Sequence, residues 1–193
     1  MKSSFGKHCR VTIFGGSHEE RIGVTLEGFP PGFTPDLAKL QRFMERRAPG
    51  NNPYSTPRKE PDLVEIGSED PLTLFIRNTN TNSGDYAKLR QVPRPGHADY
   101  TAYIKYGDSV NMAGGGPFSG RMTAPLCIAG GLAMQVLAQH GIQIGAHISS
   151  IGDKQDEYFN PTHIPEELLV SLAESDFPVI SQDAGEAMKR LIL

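Results

Sequence analysis

Apolar and polar positions along the 193-residue chain repeat with the period of strands in some segments and with that of helices in others. Stretches rich in β-forming residues and bounded by turn residues predict strands at 10–14, 22–27, 63–66, 72–76 and 142–151. Apolar residues at helical spacing predict helices at 35–48, 119–139 and from about 182 onward. Strands and helices do not alternate as a parallel sheet requires, so the pattern predicts an α+β fold.

Two features of these helices concern how they begin and how they pack. Thr34 can cap the first helix with Pro35 in the first position, because a hydroxyl accepts a free N–H and proline has none to lose. Inside the longest helix, Gly130 and Gly131 would each cost about 1 kcal/mol at an exposed position. We therefore expect another element to pack closely against these glycines.

The chain ends on three adjacent large apolar residues, Leu191, Ile192 and Leu193. Because exposed apolar surface of this kind favours association, we expect them to be buried against this chain or a neighbouring one. If they are exposed, the expectation is that a further segment covers them. We accordingly expect 1–193 to form one domain that is incomplete at its C-terminus.

Composition and charge argue against several classes of protein. The formal net charge of −3, with acidic and basic residues interspersed, provides no basic face for nucleic acid. Cys9 and Cys127 fit no metal-ligand or disulfide framework, so a cytoplasmic location is expected. The most apolar run, 124–138, is shorter than a membrane span and contains Gln135, which predicts a buried helix. We expect neither nucleic acid nor a membrane as a partner.

Two short clusters are candidates for chemistry. His18 ends the glycine-rich turn 15–18, where glycine lets a ligand approach the backbone; a structural turn histidine is the alternative. Arg94, His97 and Asp99 offer a phosphate-binding guanidinium, an imidazole that exchanges protons near neutral pH and a carboxylate to orient it. A solvated loop is the alternative for this cluster. Three further histidines fit no metal-ligand pattern and are assigned packing or surface roles: His140, His147 and His163.

Arginine usage and a second glycine-rich segment indicate an anionic small molecule. Six arginines lie beside turn residues rather than in helical charge pairs: Arg46, Arg47, Arg58, Arg77, Arg94 and Arg121. Scattered solvated arginines would give the same pattern. The segment 114–122 places glycines and Ser119 ahead of a predicted helix, a suitable cradle for phosphate. Arg121 and Met122 depart from the P-loop pattern, which disfavours nucleotide hydrolysis.

Read in order, the motifs of this chain resemble those of the chorismate synthase family along essentially its whole length. The strings that carry the resemblance are FGKHCRVTIFGGSH, ERRAPG, YSTPRKEPD, FIRNTNT, RPGHADYTAYIKYG and GGGPFSGRMTAP. The resemblance implies a β-α-β sandwich, in which antiparallel sheets flank a helical layer, assembled as a homotetramer. It also implies a cytoplasmic lyase of the shikimate pathway, which serves aromatic amino acid biosynthesis.

The reaction implied by the resemblance is a 1,4-trans elimination of phosphate and a ring proton from 5-enolpyruvylshikimate 3-phosphate to give chorismate. The family requires reduced FMN that undergoes no net redox change, and NADPH is a candidate reductant for it. The alternatives are a non-catalytic scaffold of the same family and a module that only binds phosphate esters.

The resemblance also assigns roles to individual residues. His18 and His97 match two signature histidines that assist proton movements at the departing phosphate and the flavin. Arg47, Arg94 and Arg121 match basic positions that bind the anionic groups of the substrate. The residues that match cofactor-binding positions are Arg47 and Ser119.

The chain departs from the usual family pattern in charge and in length. The departures that bear on anion binding or on the signature histidine are Gly16, Glu19, Pro53, Ala113 and Pro117. The turn at 67–71 is shorter than the family's threonine-rich one, and the chain covers only the first half of a typical member. The second half of the family fold supplies further flavin contacts and an aspartate for proton abstraction, so activity of this chain alone is a separate question.

Overall fold

The computed structural model describes residues 2–48, 50, 53–54, 60–79, 92–109 and 111–193. Contacts between residues divide the chain into two compact units. Unit 1 comprises Met1–Ala48 and Lys59–Ala133, and unit 2 comprises Pro49–Arg58 and Met134–Leu193.

Unit 1 is built on a five-stranded antiparallel sheet with the order β1-β2-β3-β5-β4. The strands are β1 Lys2–Phe5, β2 Arg10–Phe14, β3 Arg21–Glu27, β4 Val64–Glu69 and β5 Leu72–Arg77. In β3 the apolar residues alternate, so that Ile22, Val24 and Leu26 all enter the core. Opposite them in β5, Leu74 pairs with Val24 and Ile76 with Ile22. This face of the sheet forms the floor of the hydrophobic core.

Helices α1 (Leu37–Arg47) and α3 (Thr123–Ala138) supply the rest of this core. Leu40 of α1 and Leu132 of α3 are fully buried in the same cluster as the sheet residues. A Cβ on Gly131 would lie 2.7 Å from Cδ1 of Leu40, so the predicted close packing is confirmed at this glycine. At Gly130 nothing lies within 4 Å of the Cβ position, and the prediction is wrong there.

The first helix begins two residues later than expected, and its cap is shifted by the same amount. Asp36, not Thr34, is the N-cap, and its carboxylate accepts the N–H of Lys39 at 2.8 Å. An ionised cap is favoured over a hydroxyl because it also interacts with the positive end of the helix dipole. The expected first position, Pro35, therefore lies before the helix.

Short 3₁₀ segments connect the remaining elements of unit 1. Helix α2 (Asp99–Tyr106) is followed by Gly107–Ser109, and Ala113–Phe118 and Gly120–Met122 lead into α3. Within Ala113–Phe118 the three glycines, 114 to 116, have φ values of 63°, 106° and 51°. Side chains disfavour this left-handed region, so a run of glycine is the sequence feature that permits this loop.

The predicted strands 63–66 and 72–76 are confirmed as the β4–β5 hairpin. Its pairing register shifts between Ile66 and Ser68, on either side of Gly67. Ser68 and Glu69 pair with β5, so only residues 70–71 of the predicted turn at 67–71 connect the two strands. The segment 78–99 is rich in polar and turn-forming residues, which predict a long loop; its part at 80–91 lies outside the described residues.

Unit 2 contains a two-stranded ribbon and two helices. The elements are β6 Ser150–Ile151, β7 Lys154–Gln155, α4 Glu166–Glu174 and α5 Gln182–Ile192. Asp156 accepts hydrogen bonds from the backbone N–H groups of Ile180 and Ser181, at 2.7 and 2.8 Å, and from Nδ1 of His147 at 2.8 Å. One buried carboxylate thus holds three chain segments of this unit together.

Two expectations for this part of the chain are corrected. The predicted strand 142–151 is absent except for Ser150–Ile151, because Ile142 and Ile144 are exposed and alternation without a partner strand forms no ladder. Leu191, Ile192 and Leu193 are 47%, 40% and 79% exposed, so they are not buried against this chain.

Helix α3 is buried on one side only, with Leu126 45% exposed, so the expectation of a buried helix holds for half of its surface. With its preceding 3₁₀ turn, Gly120–Ala138 spans 19 residues, close to the predicted helix at 119–139. Among the residues that the structure describes, it is the one helix long and apolar enough to cross a membrane. The core helix of a globular protein passes the same test, and Ala124, Ile128 and Leu132 of this helix lie in the core of unit 1.

Candidate active site

The histidine turn, residues 15–19, joins β2 to β3 and lies against the glycine loop at 113–118. The N–H of Ser17 donates to the carbonyl of Gly116 at 3.3 Å, and its Oγ donates to the carbonyl of Ala113 at 3.2 Å. Within the turn, the N–H of Glu19 donates to the carbonyl of Gly16 at 3.0 Å. Two glycine-rich segments far apart in sequence are therefore one structural feature.

His18 packs directly on the backbone of this loop. A Cβ on Gly114 would lie 2.6 Å from Cε1 and 2.8 Å from Nε2 of the imidazole. Any side chain at 114 would displace the ring, so glycine is required here for a close approach as well as for its positive φ. The imidazole is half-buried and lies against the backbone at Gly114.

The second part of the site is a cluster of two arginines and two carboxylates, the arginine–carboxylate cluster. Asp62 gives one oxygen to Nη1 of Arg47 and the other to Nη1 of Arg121. Glu60 lies beside Arg121, with Oε2 2.7 Å from Nη2. The side chains of Glu60 and Arg121 are each 11% exposed, that of Asp62 is fully buried and that of Arg47 is 23% exposed. The four formal charges sum to zero, as a buried cluster requires.

The backbone around Asp62 is fixed by α1. Nε2 of Gln41 donates to the carbonyl of Asp62 at 3.4 Å, and Oε1 of Gln41 accepts the N–H of Val64 at 3.2 Å. Asp62 itself has φ 47°, a left-handed conformation that aspartate tolerates better than most residues. Helix α1 therefore supplies Arg47 and also Gln41, which fixes the backbone that carries the Asp62 carboxylate.

Arg121 has a polar partner near each of its three guanidinium nitrogens. Besides Asp62 and Glu60, it donates from Nε to Oδ1 of Asn78 at 3.2 Å. Nδ2 of Asn78 in turn donates to the carbonyls of Gly16 at 3.2 Å and Glu19 at 2.7 Å. The arginine–carboxylate cluster and the histidine turn are thus joined through a single amide.

Ser119 and Cys127 lie next to the same cluster. The Oγ of Ser119 accepts the N–H of Arg121 at 3.3 Å, so Ser119 caps the turn that carries this arginine. Burial raises the pKa of the Cys127 thiol, opposed by the charge of Arg47 and reinforced by that of Asp62. The thiol is therefore kept neutral beside the arginines and does not compete as an anion.

The predicted cluster Arg94–His97–Asp99 forms differently from the expectation. Asp99 pairs with Arg94 in a bidentate contact, Nε–Oδ2 at 2.7 Å and Nη2–Oδ1 at 2.8 Å, and also accepts the N–H of Arg94. The hydrogen bond from Arg94 holds the pKa of Asp99 below its usual value despite burial. The expectation that Asp99 orients the imidazole is wrong, because a guanidinium matches both of its oxygens.

His97 is exposed, and its Nδ1 lies 3.1 Å from the carbonyl of Pro95. Because a carbonyl only accepts hydrogen bonds, this contact places a proton on Nδ1 and leaves Nε2 directed elsewhere. The imidazole is thus oriented by backbone rather than by a carboxylate.

The comparisons with known proteins give one consistent result. A family model described as chorismate synthase matches residues 9–193. The chain belongs to the chorismate synthase family. A chorismate synthase from Lancefieldella parvula is 42% identical over all of this chain, and one from Aeropyrum pernix is 40% identical over 99% of it. The chain spans about half the length of these curated relatives, 55% and 52% respectively.

A solved structure of chorismate synthase superposes on 96% of the chain with a TM-score of 0.69 at 24% identity, and the match covers 52% of that structure. This likeness confirms the α+β fold of the chorismate synthase type. Of the two sheets expected around a helical layer, the described residues form one five-stranded sheet and a two-stranded ribbon.

Among the departures from the family pattern, Gly16 and Glu19 are related in space. Oε1 of Glu19 lies 3.2 Å from where a Cβ of residue 16 would be. A carboxylate therefore remains beside the histidine turn although residue 16 is glycine. Ala113 contributes a carbonyl to Ser17, which any residue at that position could provide.

Three residues that build this site were missed by reasoning from the sequence. Glu60 and Asp62 lie in the string YSTPRKEPD, and Asn78 lies in FIRNTNT, but no role was predicted for any of them. Two acidic residues directly after a basic segment are the one local signal, because buried arginines need carboxylate partners. Nothing in the spacing identifies Asn78.

Proposed function

We propose that this chain provides the acid/base and anion-binding half of a chorismate synthase site. The reaction is the 1,4-trans elimination of phosphate and a ring proton from 5-enolpyruvylshikimate 3-phosphate, giving chorismate. The observation that carries the proposal is the single hydrogen-bonded assembly of the histidine turn, the glycine loop and the arginine–carboxylate cluster. Membership of the family supports the same reaction.

In this proposal the two histidines move protons. His18, fixed against Gly114, donates a proton to the departing phosphate, a task suited to an imidazole near neutral pH. His97, with its Nδ1 held by a carbonyl, handles a proton on the flavin side through Nε2. Both assignments follow the family motifs and rest on positions that backbone contacts fix.

The arginines differ in how they serve an anion. Arg47 is the most exposed member of the arginine–carboxylate cluster and uses one nitrogen on Asp62, so its other nitrogens serve a phosphate or carboxylate. Arg121 is held by Asn78, Asp62 and Glu60 and acts mainly by keeping the cluster in place. Arg94, paired with Asp99, presents the remaining edge of its guanidinium.

The cofactor proposed for this site is reduced FMN, with NADPH as the candidate reductant. The chain's residues fit its phosphate at one point of the glycine loop: a Cβ on Gly115 would meet only Ser119, at 3.5 Å, so backbone is accessible there. Ser119 and Arg47 are the side chains that would hold the phosphate. When bound, reduced flavin would supply electron density to the elimination without a net change in its oxidation state. We further propose a homotetramer in the cytoplasm, as the family resemblance implies.

An anaerobic assay tests the proposal. The purified chain, with 5-enolpyruvylshikimate 3-phosphate and dithionite-reduced FMN, is expected to release chorismate and phosphate in equal amounts. A sample without flavin is the control and is expected to release neither. Binding of the phosphate ester with no product, in the presence of reduced flavin, would reduce the chain to a binding module.

A further inference from the structure

Asn78, the residue after β5, connects the two parts of the site. Its Nδ2 donates to the carbonyls of Gly16 and Glu19, at 3.2 and 2.7 Å, and its Oδ1 accepts from Nε of Arg121 at 3.2 Å. Its backbone N–H donates to the carbonyl of Glu20 at 3.0 Å. The side chain therefore holds the histidine turn with one end and the arginine–carboxylate cluster with the other.

An amide is the side chain that can make these contacts together. Carbonyl oxygens only accept and a guanidinium only donates, so the bridging group needs two donors on one atom and an acceptor on another. A carboxylate at 78 would face two carbonyls with no proton to give. A hydroxyl would have one donor for two acceptors.

Resting on the proposed function, we propose that Asn78 is a positioning residue of the lyase reaction, which fixes the turn carrying His18 relative to the arginines that bind the substrate. Asn78 acts through His18. Proton transfer requires the imidazole within hydrogen-bond reach of the reacting oxygen, and a displacement of about 1 Å can cost about a hundredfold in rate.

Loss of the Asn78 side chain should affect the histidine turn more than the arginine–carboxylate cluster. Arg121 keeps two charged partners, Asp62 and Glu60, so its position depends little on the amide. The histidine turn loses both of its side-chain donors from 78 at once. The inference therefore concerns proton transfer rather than anion binding.

Steady-state kinetics of two variants distinguish an effect on proton transfer from an effect on anion binding. We expect Asn78→Ala to lower kcat at least about tenfold with KM changed by less than about twofold. Asn78→Asp keeps the acceptor but has no donor, so kcat falls as well, and KM rises because the new charge repels the anionic substrate. The matched control is Asn160→Ala in unit 2, an exposed residue whose Oδ1 contacts only Thr162 among the described residues; its kinetics are expected to match the wild type.

The opposite pattern would overturn the inference. If Asn78 acted through Arg121, Asn78→Ala would raise KM, and Asn78→Asp would preserve kcat because a carboxylate is a better partner for a guanidinium. Unchanged kcat in Asn78→Ala would overturn it equally and would leave the proposed reaction standing.

Hydrogen exchange gives a readout without substrate. The amides of Ser17 and Glu19 donate to Gly116 and Gly16, and we expect their exchange to be about tenfold faster in Asn78→Ala, with Val24 of β3 unchanged. This result combined with no turnover in the wild type would support the bridge and overturn the proposed reaction. An equal increase at Val24 would make Asn78 a general stabiliser of unit 1 and overturn the inference.

Discussion

Units 1 and 2 each contain an aspartate whose side chain is fully buried, and the two differ in what surrounds the charge. In unit 1, Asp62 is met by the guanidinium groups of Arg47 and Arg121. In unit 2, Asp156 is met by two backbone N–H groups and by His147. Both arrangements satisfy a carboxylate away from water, which is the condition for burying it at all.

The partners decide what the buried charge can do. Backbone N–H groups are fixed, so a carboxylate that binds them pins chain segments together and has no further use. Guanidinium groups have several donors each, so a carboxylate that orients them leaves donors for a ligand. Burial of a charge alone therefore does not mark a functional site; the spare hydrogen-bonding capacity of its partners does.

The largest expected effect comes from removing the charge of Asp62. Asparagine keeps the shape and tolerates the left-handed backbone, but it leaves Arg47 and Arg121 without their shared counter-charge. We expect Asp62→Asn to cost about 3–5 kcal/mol of unfolding free energy, measured by urea denaturation. Asp153→Asn, at an exposed aspartate paired with Lys154, is the control and should leave the urea midpoint unchanged. Equal effects of the two changes would contradict a buried ionic cluster.

Two histidines extend the comparison to activity. His97→Ala should lower turnover at least about a hundredfold with little change in unfolding free energy, because its imidazole is exposed and proposed to move a proton. His147→Ala should lower the unfolding free energy with little change in turnover, because its ring is 9% exposed and hydrogen-bonded to Asp156. Turnover assays and urea denaturation of both variants measure this. Wild-type turnover in His97→Ala would remove that histidine from the reaction.

Asp156 gives an intermediate effect with a defined pH dependence. Burial raises its pKa, but the N–H groups of Ile180 and Ser181 and the His147 ring outweigh burial, and the pKa lies below the usual value. The charged form therefore stabilises the native state above about pH 4, and this contribution is lost as pH falls through the lowered pKa. We expect Asp156→Asn to lower the unfolding free energy by about 2 kcal/mol at pH 7 and to reduce the fall of the unfolding free energy below about pH 4. If the unfolding free energy of the variant falls with pH as steeply as that of the wild type, other groups cause the acid dependence.

The smallest expected change in stability is at the glycine loop. Gly114→Ala combines a positive φ with a methyl group in the place of the His18 ring, so we expect a loss of about 1 kcal/mol and at least about a tenfold lower turnover. The control is Gly120→Ala, where nothing lies within 4 Å and φ is not positive. If both alanines leave turnover unchanged, the contact between His18 and residue 114 has no role in the reaction.

Much of the fold could be predicted because its signals are local. The strand β3 has large apolar residues at every second position, and the longest helix is preceded by a glycine loop and followed by Gly141 at φ 69°. The segment 142–149 carries the same alternation as β3 but is not a strand, because a strand needs a hydrogen-bonding neighbour that periodicity does not reveal. Helices α2 and α4 were missed because their apolar faces are short and remain partly exposed.

The candidate site was predictable in its parts and not in its connections. Glycine-rich turns identified the surroundings of His18 and Ser119 from neighbouring residues alone. The contacts of Asp62 span 15 residues to Arg47 and 59 to Arg121, and those of Asn78 reach 43 residues to Arg121. No spacing rule relates positions so far apart, since the sheet and α1 bring them together only after folding.

The order of the strands in unit 1 has a consequence for how fast the unit folds. Strands β1 to β3 pair with neighbours in sequence, as do β4 and β5, whereas β3 and β5 pair across the long interval between Glu27 and Leu72. The β1–β2–β3 meander and the β4–β5 hairpin can therefore form early. Joining them closes the one long loop of the sheet, and the chain loses the entropy of that loop before the new hydrogen bonds between β3 and β5 stabilise it. We expect that step to limit the refolding rate. Truncating the side chain of Leu74, which pairs with Val24 between β3 and β5, should therefore slow refolding, whereas changes in the β1–β2 pair should mainly speed unfolding.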